Sequence, residues 1–265
     1  MLDLGQKKNL PIGFMDSGLG GLSVLREAVR IMPAEDFIYY GDSLHAPYGT
    51  KEQEEIRELT FDVVKKLLKQ GIKGLAVACN TATSAAVRKL RSDYPELPIV
   101  GIEPAIKPAV MNHKNGRILV MATPMTIRQK KYQELLERYN NQAEIISVPC
   151  EGLMEFVERG SIDAEELNTY FQEHLTPYLS EDTETIVLGC THYPFLKPYL
   201  KNFLGDSATR LIDGSLGTSM ELKRRLGEKN LLREENRKGH VEIINSTGRQ
   251  DMIDLSYRLL EMPVE

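Results

Sequence analysis

The sequence predicts an α/β fold: two similar three-layer α/β domains with mostly parallel sheets and a candidate active site in the cleft between them. Three observations carry this expectation. Short β-rich apolar runs alternate with longer stretches of helical period, the pattern of parallel strands joined by helices. Turns rich in glycine or in hydroxyl side chains directly follow several of these runs. Finally, GLAVACNTATSAAVRKL (Gly74–Leu90) is echoed by TIVLGCTHYPFLKPYL (Thr185–Leu200). Each passes from an apolar strand through a small residue to a cysteine, a nearby threonine and a helix.

In chain order, Met1–Leu10 reads as a short frayed leader with no apolar stretch of the kind a secretory signal needs. The first strand is expected at Pro11–Met15, followed by a glycine-rich turn and a helix at Ser23–Ile31. The next strand, Phe37–Tyr40, precedes a helix at Glu52–Gln70, where Ile56, Leu59, Val63, Leu67 and Leu68 make one apolar stripe. Strand Gly74–Ala78 leads into a helix at Thr83–Arg91, and strand Ile99–Gly101 follows. Further strands are expected at Arg117–Met121, Glu144–Val148, Thr185–Leu188, Arg210–Ile212 and Val241–Ile244. Helices are expected at Ile127–Tyr139, Glu165–Tyr178 and Met220–Leu226.

Composition narrows the function classes. Of 265 residues, 42% are hydrophobic and 27% charged, enough apolar material for a sizeable core without disulfide or metal staples. A net charge of −5 argues against a nucleic-acid binder, which would carry a basic face. No segment approaches the roughly 18 apolar residues of a membrane span. Three cysteines far apart make no disulfide framework and no Cys-x-x-Cys pair, which fits a reducing, cytoplasmic setting. No His, Cys or carboxylate spacing makes a metal site.

Cys79 and Cys190 each follow an apolar strand, where ligands sit in open α/β sheets. Each also precedes an expected helix, whose N-terminus favours a thiolate. A single cysteine in such a place is more often core than catalytic; the polar followers Asn80-Thr81 and Thr191-His192 shift the balance for this pair. Cys150 lacks such neighbours and reads as structural. Asp16 and Ser17 open the turn DSGLGG, which is either a close approach to a ligand or a tight turn with Asp16 as N-cap. Pro47, Tyr48 and Gly49 form a turn that either offers amides to a carboxylate or is an ordinary loop. Thr123 stands at another strand mouth with Thr126 as the expected N-cap, and DGSLGTSM (Asp213–Met220) reads as a capping turn. His192 is placed to orient or acidify Cys190, whereas His45 and His113 have no comparable partners.

Together these segments resemble the glutamate racemase family. The match is carried by DSGLGG (Asp16–Gly21), Gly41-Asp42, PYG (Pro47–Gly49), ACNTA (Ala78–Ala82), GIEPA (Gly101–Ala105) and GCTHYP (Gly189–Pro194), in the family's order. The resemblance implies a first domain of residues 1–100 plus 209–265 and a second of 101–208. It implies a cofactor-independent reaction in which Cys79 is the base toward D-glutamate and Cys190 toward L-glutamate, with Asp16 and His192 assisting. Substrate contacts would be Asp16, Ser17, Pro47, Tyr48, Gly49, Asn80, Thr81, Thr123, Thr191 and His192. The partner implied is L- or D-glutamate, with no nucleic acid and no membrane; a homodimer is compatible with the family, and D-glutamate would serve peptidoglycan synthesis. His45 stands where the family more often has arginine, and Glu151 and Glu155 where prolines are common.

Racemisation requires two bases flanking one carbon, and cysteine suits the exchange because thiol and thiolate are both accessible near neutral pH. Three competing readings remain at this stage. One is a two-cysteine racemase acting on aspartate or a hydantoin, and another is a non-catalytic amino-acid binding module. The third is a hydrolase using Cys190 and His192, a pair that two-residue spacing at a tight turn is expected to place poorly.

Overall fold

A computed structural model describes residues 3–234 and 237–263. The chain begins with α1 (Leu4–Lys8), β1 (Ile12–Asp16), α2 (Leu22–Ile31), β2 (Phe37–Gly41), α3 (Gln53–Lys69), β3 (Gly74–Val77), α4 (Asn80–Asp93) and β4 (Ile99–Gly101). It continues through α5 (Ile106–Met111), β5 (Arg117–Ala122), α6 (Pro124–Arg128), α7 (Lys130–Tyr139), β6 (Ile145–Pro149), α8 (Glu155–Glu158) and α9 (Ala164–His174). It ends with β7 (Thr183–Leu188), α10 (Lys197–Leu204), β8 (Arg210–Asp213), α11 (Ser215–Glu228), β9 (Val241–Asn245) and α12 (Gln250–Glu261). Every strand expected from the sequence forms, with ends shifted by no more than a residue or two.

These elements divide into two compact units, Met1–Ile102 with Ser215–Met262, and Glu103–Gly214. The first carries a five-stranded parallel sheet in the order β4-β3-β1-β2-β9. Its central strands are buried along their whole length, as a parallel sheet covered on both faces requires. One covering layer pairs α3 with α4, and the other pairs α2 with α11 and α12. Close packing against both layers accounts for two glycines: a Cβ on Gly13 would stand 2.9 Å from Ile72, and one on Gly74 would stand 3.0 Å from Leu226.

The second unit carries a four-stranded parallel sheet in the order β6-β5-β7-β8. Its core joins Ile106, Ala109 and Val110 of α5 to Tyr132 and Tyr139 of α7 over Ile118, Val120 and Val187 of the sheet. Elsewhere α9 and α10 pack together, with the Phe171 and Phe203 rings 5.3 Å apart. No helix among the described residues is long and apolar enough to cross a membrane.

Several sequence expectations are corrected. The return to the first unit comes after residue 214 rather than at 209, because Arg210–Asp213 pairs with β7 and completes the second sheet. The leader is a helix closed by a capping box, in which the Asp3 carboxylate accepts from Gln6 N and the Gln6 amide accepts from Asp3 N. The helix expected at Ile127–Tyr139 is two helices, divided where Gln129 takes an extended backbone. In α3 the buried face uses Thr60 and Val64 rather than Leu59 and Leu68, and the Thr60 hydroxyl is satisfied by the Ile56 carbonyl at 2.7 Å.

Candidate active site

In the first unit, the carboxyl ends of neighbouring strands β1 and β3 bring Asp16 and Cys79 into the same neighbourhood. The amide of Ala78 donates to Met15 O at 2.8 Å. The turn after β1 folds tightly onto both strands: a Cβ on Gly21 would lie 2.7 Å from Asp16 Cβ and 2.8 Å from Ala78 Cβ. Asp16 is fully buried, and its Oδ2 accepts from Gly18 N at 2.9 Å. It therefore shapes the turn; the N-cap of α2 is Gly21, which gives no side-chain cap.

Cys79 is the N-cap of α4, and its sulfur accepts from Ala82 N at 3.4 Å. The Ser17 hydroxyl lies 3.5 Å from the same sulfur. A helix N-terminus and a hydroxyl both favour the thiolate. Asn80 and Thr81 follow it in the first turn, both buried. The Asn80 amide oxygen has no hydrogen-bond partner among the described residues.

The loop after β2 supplies Pro47, Tyr48 and Gly49. Tyr48 is 1% exposed and donates to Asp42 Oδ2 at 2.7 Å. Burial, with Asp42 as acceptor and with the negative charges of Cys79 and Asp16 nearby, pushes this phenol upward, so it stays a donor. Contrary to the expectation that His45 lacks a partner, its Nδ1 stands 3.0 Å from both oxygens of Asp42.

The second unit builds its counterpart at the ends of β5 and β7. Gly189 N donates to Met121 O at 2.7 Å. A Cβ on Gly189 would meet that same oxygen at 2.6 Å. Cys190 is half-buried, and Thr191 and His192 are buried. His192 Nδ1 lies 3.6 Å from Cys190 Sγ, and its Nε2 lies 2.7 Å from Glu158 Oε1 of α8. Burial alone would lower the imidazole pKa, but the bonds to the Cys190 sulfur and the Glu158 carboxylate outweigh it and hold the value well above 6.5. A carboxylate at Nε2 and a sulfur at Nδ1 both favour the charged form of the ring.

The pairing of Cys190 with His192, expected to be poor, is thus made. No ordinary helix follows Cys190 directly: a 3₁₀ turn, Tyr193–Leu196, comes before α10. Thr123, rather than Thr126, caps α6, accepting from Thr126 N at 3.2 Å. Cys150 is buried, with burial first and the charge at Cys190 second pushing its thiol up to about 12. Glu158 is the residue that sequence reasoning misses. It lies 34 positions from His192 on a four-residue helix, and no motif or period connects the two. No group of three His, Cys, Asp or Glu among the described residues is placed to hold a metal.

Residues 12–215, which carry both strand-end cysteines, match the family described as Asp/Glu/Hydantoin racemase. The chain belongs to this family and is an isomerase of the racemase class. Within it, the similarity runs to the glutamate racemases. That of Clostridium botulinum is 53% identical over 255 residues, covering 96% of this chain and 98% of the relative. The structure of a Bacillus anthracis glutamate racemase isoform superposes with a TM-score of 0.85 at 32% identity, covering 97% and 96% of the two chains. The Francisella tularensis glutamate racemase in complex with D-glutamate gives 0.82 at 28% identity, covering 97% and 96%.

Proposed function

We propose that the protein interconverts L- and D-glutamate without a cofactor, by two-base proton transfer through Cys79 and Cys190. With D-glutamate bound, the Cys79 thiolate takes the α-proton, and the Cys190 thiol gives its own proton to the opposite face of the carbanion. L-Glutamate results, with Cys79 now thiol and Cys190 thiolate; the reverse reaction starts from that state. Asp16 assists on the Cys79 side. The His192 imidazolium, held by Glu158, assists at Cys190. Ser17, the Pro47–Gly49 turn, Asn80, Thr81, Thr123 and Thr191 are the proposed substrate contacts. Preorganised donors in a water-poor site are what offset the cost of the carbanion.

The observation that carries this reading is that both strand-end sulfurs have their own anion-supporting partners, in a chain so similar to glutamate racemases. The buried, unbonded amide oxygen of Asn80 adds support, since a substrate ammonium would satisfy it. The product D-glutamate would serve peptidoglycan synthesis in the cytoplasm.

The test is incubation with L-glutamate in D₂O without pyridoxal phosphate, following inversion by circular dichroism and the α-proton by NMR. Inversion with deuterium in the product, lost in Cys79→Ser and in Cys190→Ser, is expected; folded protein that gives neither inversion nor exchange refutes glutamate as substrate.

A further inference from the structure

The loop between β2 and α3 is organised around one buried carboxylate. Asp42 is 1% exposed. Its backbone N–H donates to Asp16 O at 3.0 Å, which ties the loop to the end of β1. The first half of the loop is pinned to the segment after β9: Asn245 Nδ2 donates to Ser43 Oγ at 2.8 Å, and Leu44 N donates to Ser246 Oγ at 2.9 Å. The second half, Pro47–Thr50, is tied back through the Tyr48 hydroxyl, which donates to Asp42 Oδ2.

His45 completes this arrangement from the outside, its side chain 43% exposed while that of Asp42 is 2%. An ionised carboxylate only accepts, so His45 Nδ1 carries the proton and shares it between the two oxygens. Other charges bear on the cluster. Lys66 of α3 bonds the Tyr40 hydroxyl at 2.8 Å, and it interacts electrostatically with Asp42 and Asp62. Asp16 and Cys79 act on Tyr48. Without the imidazole, Asp42 keeps a charge in a buried place with one donor fewer. Its cheapest relief is to turn toward water, which releases Tyr48 and the turn that follows.

We propose that His45 is a positioning residue for substrate binding: it fixes the Asp42 carboxylate, and through Tyr48 the Pro47–Gly49 turn, without touching the substrate. This rests on the reading of that turn as a glutamate contact. The test is steady-state kinetics in both directions for wild type, His45→Ala and His45→Arg, with unfolding midpoints measured alongside. Arginine can supply N–H donors to the same carboxylate.

His45→Ala should raise KM for both enantiomers about 5- to 20-fold, around and below the low end of what losing one hydrogen bond to a charged group costs, because the imidazole is half exposed. Its kcat should stay within about twofold, and its unfolding midpoint should fall only slightly, because Asp42 can relieve the loss by turning toward water. His45→Arg should bring KM back to within about threefold of wild type if one donor to the carboxylate suffices. Calorimetric titration of D-glutamate into Cys79→Ser, with and without His45→Ala, should show the same loss of affinity in the absence of turnover. Unchanged KM in His45→Ala, a fall confined to kcat, or failure of arginine to restore KM overturns the proposal while wild type still racemises. A wild type that neither binds nor inverts glutamate overturns the functional reading, and this inference with it.

Discussion

Cys79 sits at the N-terminus of a 14-residue helix, with an amide and a hydroxyl near its sulfur. Cys190 enters a short 3₁₀ turn instead, and its support is an imidazole backed by a carboxylate. The sequence echo between the two segments conceals this difference. Backbone dipoles and a serine hydroxyl do not titrate near neutrality, and a helix terminus contributes about 0.3–1 kcal/mol. A hydrogen bond to a charged group contributes about 1.5–3 kcal/mol and depends on the partner's protonation. The amide and hydroxyl at Cys79 do not titrate, whereas the imidazole–carboxylate pair at Cys190 does, so the two halves should respond differently to pH and to substitution.

The largest effect should come from the sulfurs themselves. Cys79→Ser and Cys190→Ser should each lower racemisation by about 10²–10⁴-fold, the range for a positioned acid or base. Their residual chemistry separates the halves: Cys190→Ser should still exchange the α-proton of D-glutamate in D₂O without inversion, and Cys79→Ser that of L-glutamate. Exchange of both enantiomers by one variant would break the assignment of faces.

Next in size is Glu158→Gln, which removes the carboxylate that keeps His192 charged. Activity should fall about 10- to 100-fold, in line with losing a partner that orients and charges the acting group. The decline of activity with rising pH should also begin at lower pH than in wild type. Stability carries the same signature. A histidine whose folded pKa is raised stabilises the fold fully below its ordinary value of 6.5, and the contribution is lost as pH rises through the folded value. Denaturant midpoints between pH 6 and 9 should show that decline in wild type and a weaker one in Glu158→Gln.

A smaller contrast lies in the residues before the two cysteines. Gly189→Ala forces a Cβ against the Met121 carbonyl and should cost about 1–3 kcal/mol. The matching change in the other half, Ala78→Gly, creates no clash and should cost about 1–2 kcal/mol, from chain entropy together with the loss of a buried methyl. Equal losses in urea unfolding would mean that the halves are packed alike at this point. The smallest effect belongs to Cys150. With its thiol near 12, it should resist iodoacetamide at pH 8 in folded protein while Cys79 and Cys190 are carbamidomethylated, as mass spectrometry would show.

The strands were legible because a buried parallel strand is a short apolar run, and each such run ends in residues that cannot continue it. The helices were less so. The helix expected after Cys190 forms only as α10, one 3₁₀ turn later, and it tolerates Pro198 because that residue falls in its first turn, where no N–H bond is lost. The helix α12 begins after an N-cap, Arg249, that makes no side-chain cap, so its start carries no local mark. In α4 the Asn-Thr start reads as loop, but Cys79 itself supplies the cap. The cysteines and their followers were visible as motifs. Glu158 and the Asp42–His45 contact were not, because one depends on tertiary approach and the other on the orientation of a loop.

The strand order also fixes a sequence of events at synthesis. Strand β2 exposes one edge until β9 arrives, and from Gly101 to Val241 is about 140 residues. At the usual pace of translation that interval is on the order of ten seconds. All four strands of the second unit lie within Glu103–Gly214 and emerge within that interval. The half holding Cys190 therefore has all its strands before the half holding Cys79, although Cys79 is the earlier of the two to leave the ribosome.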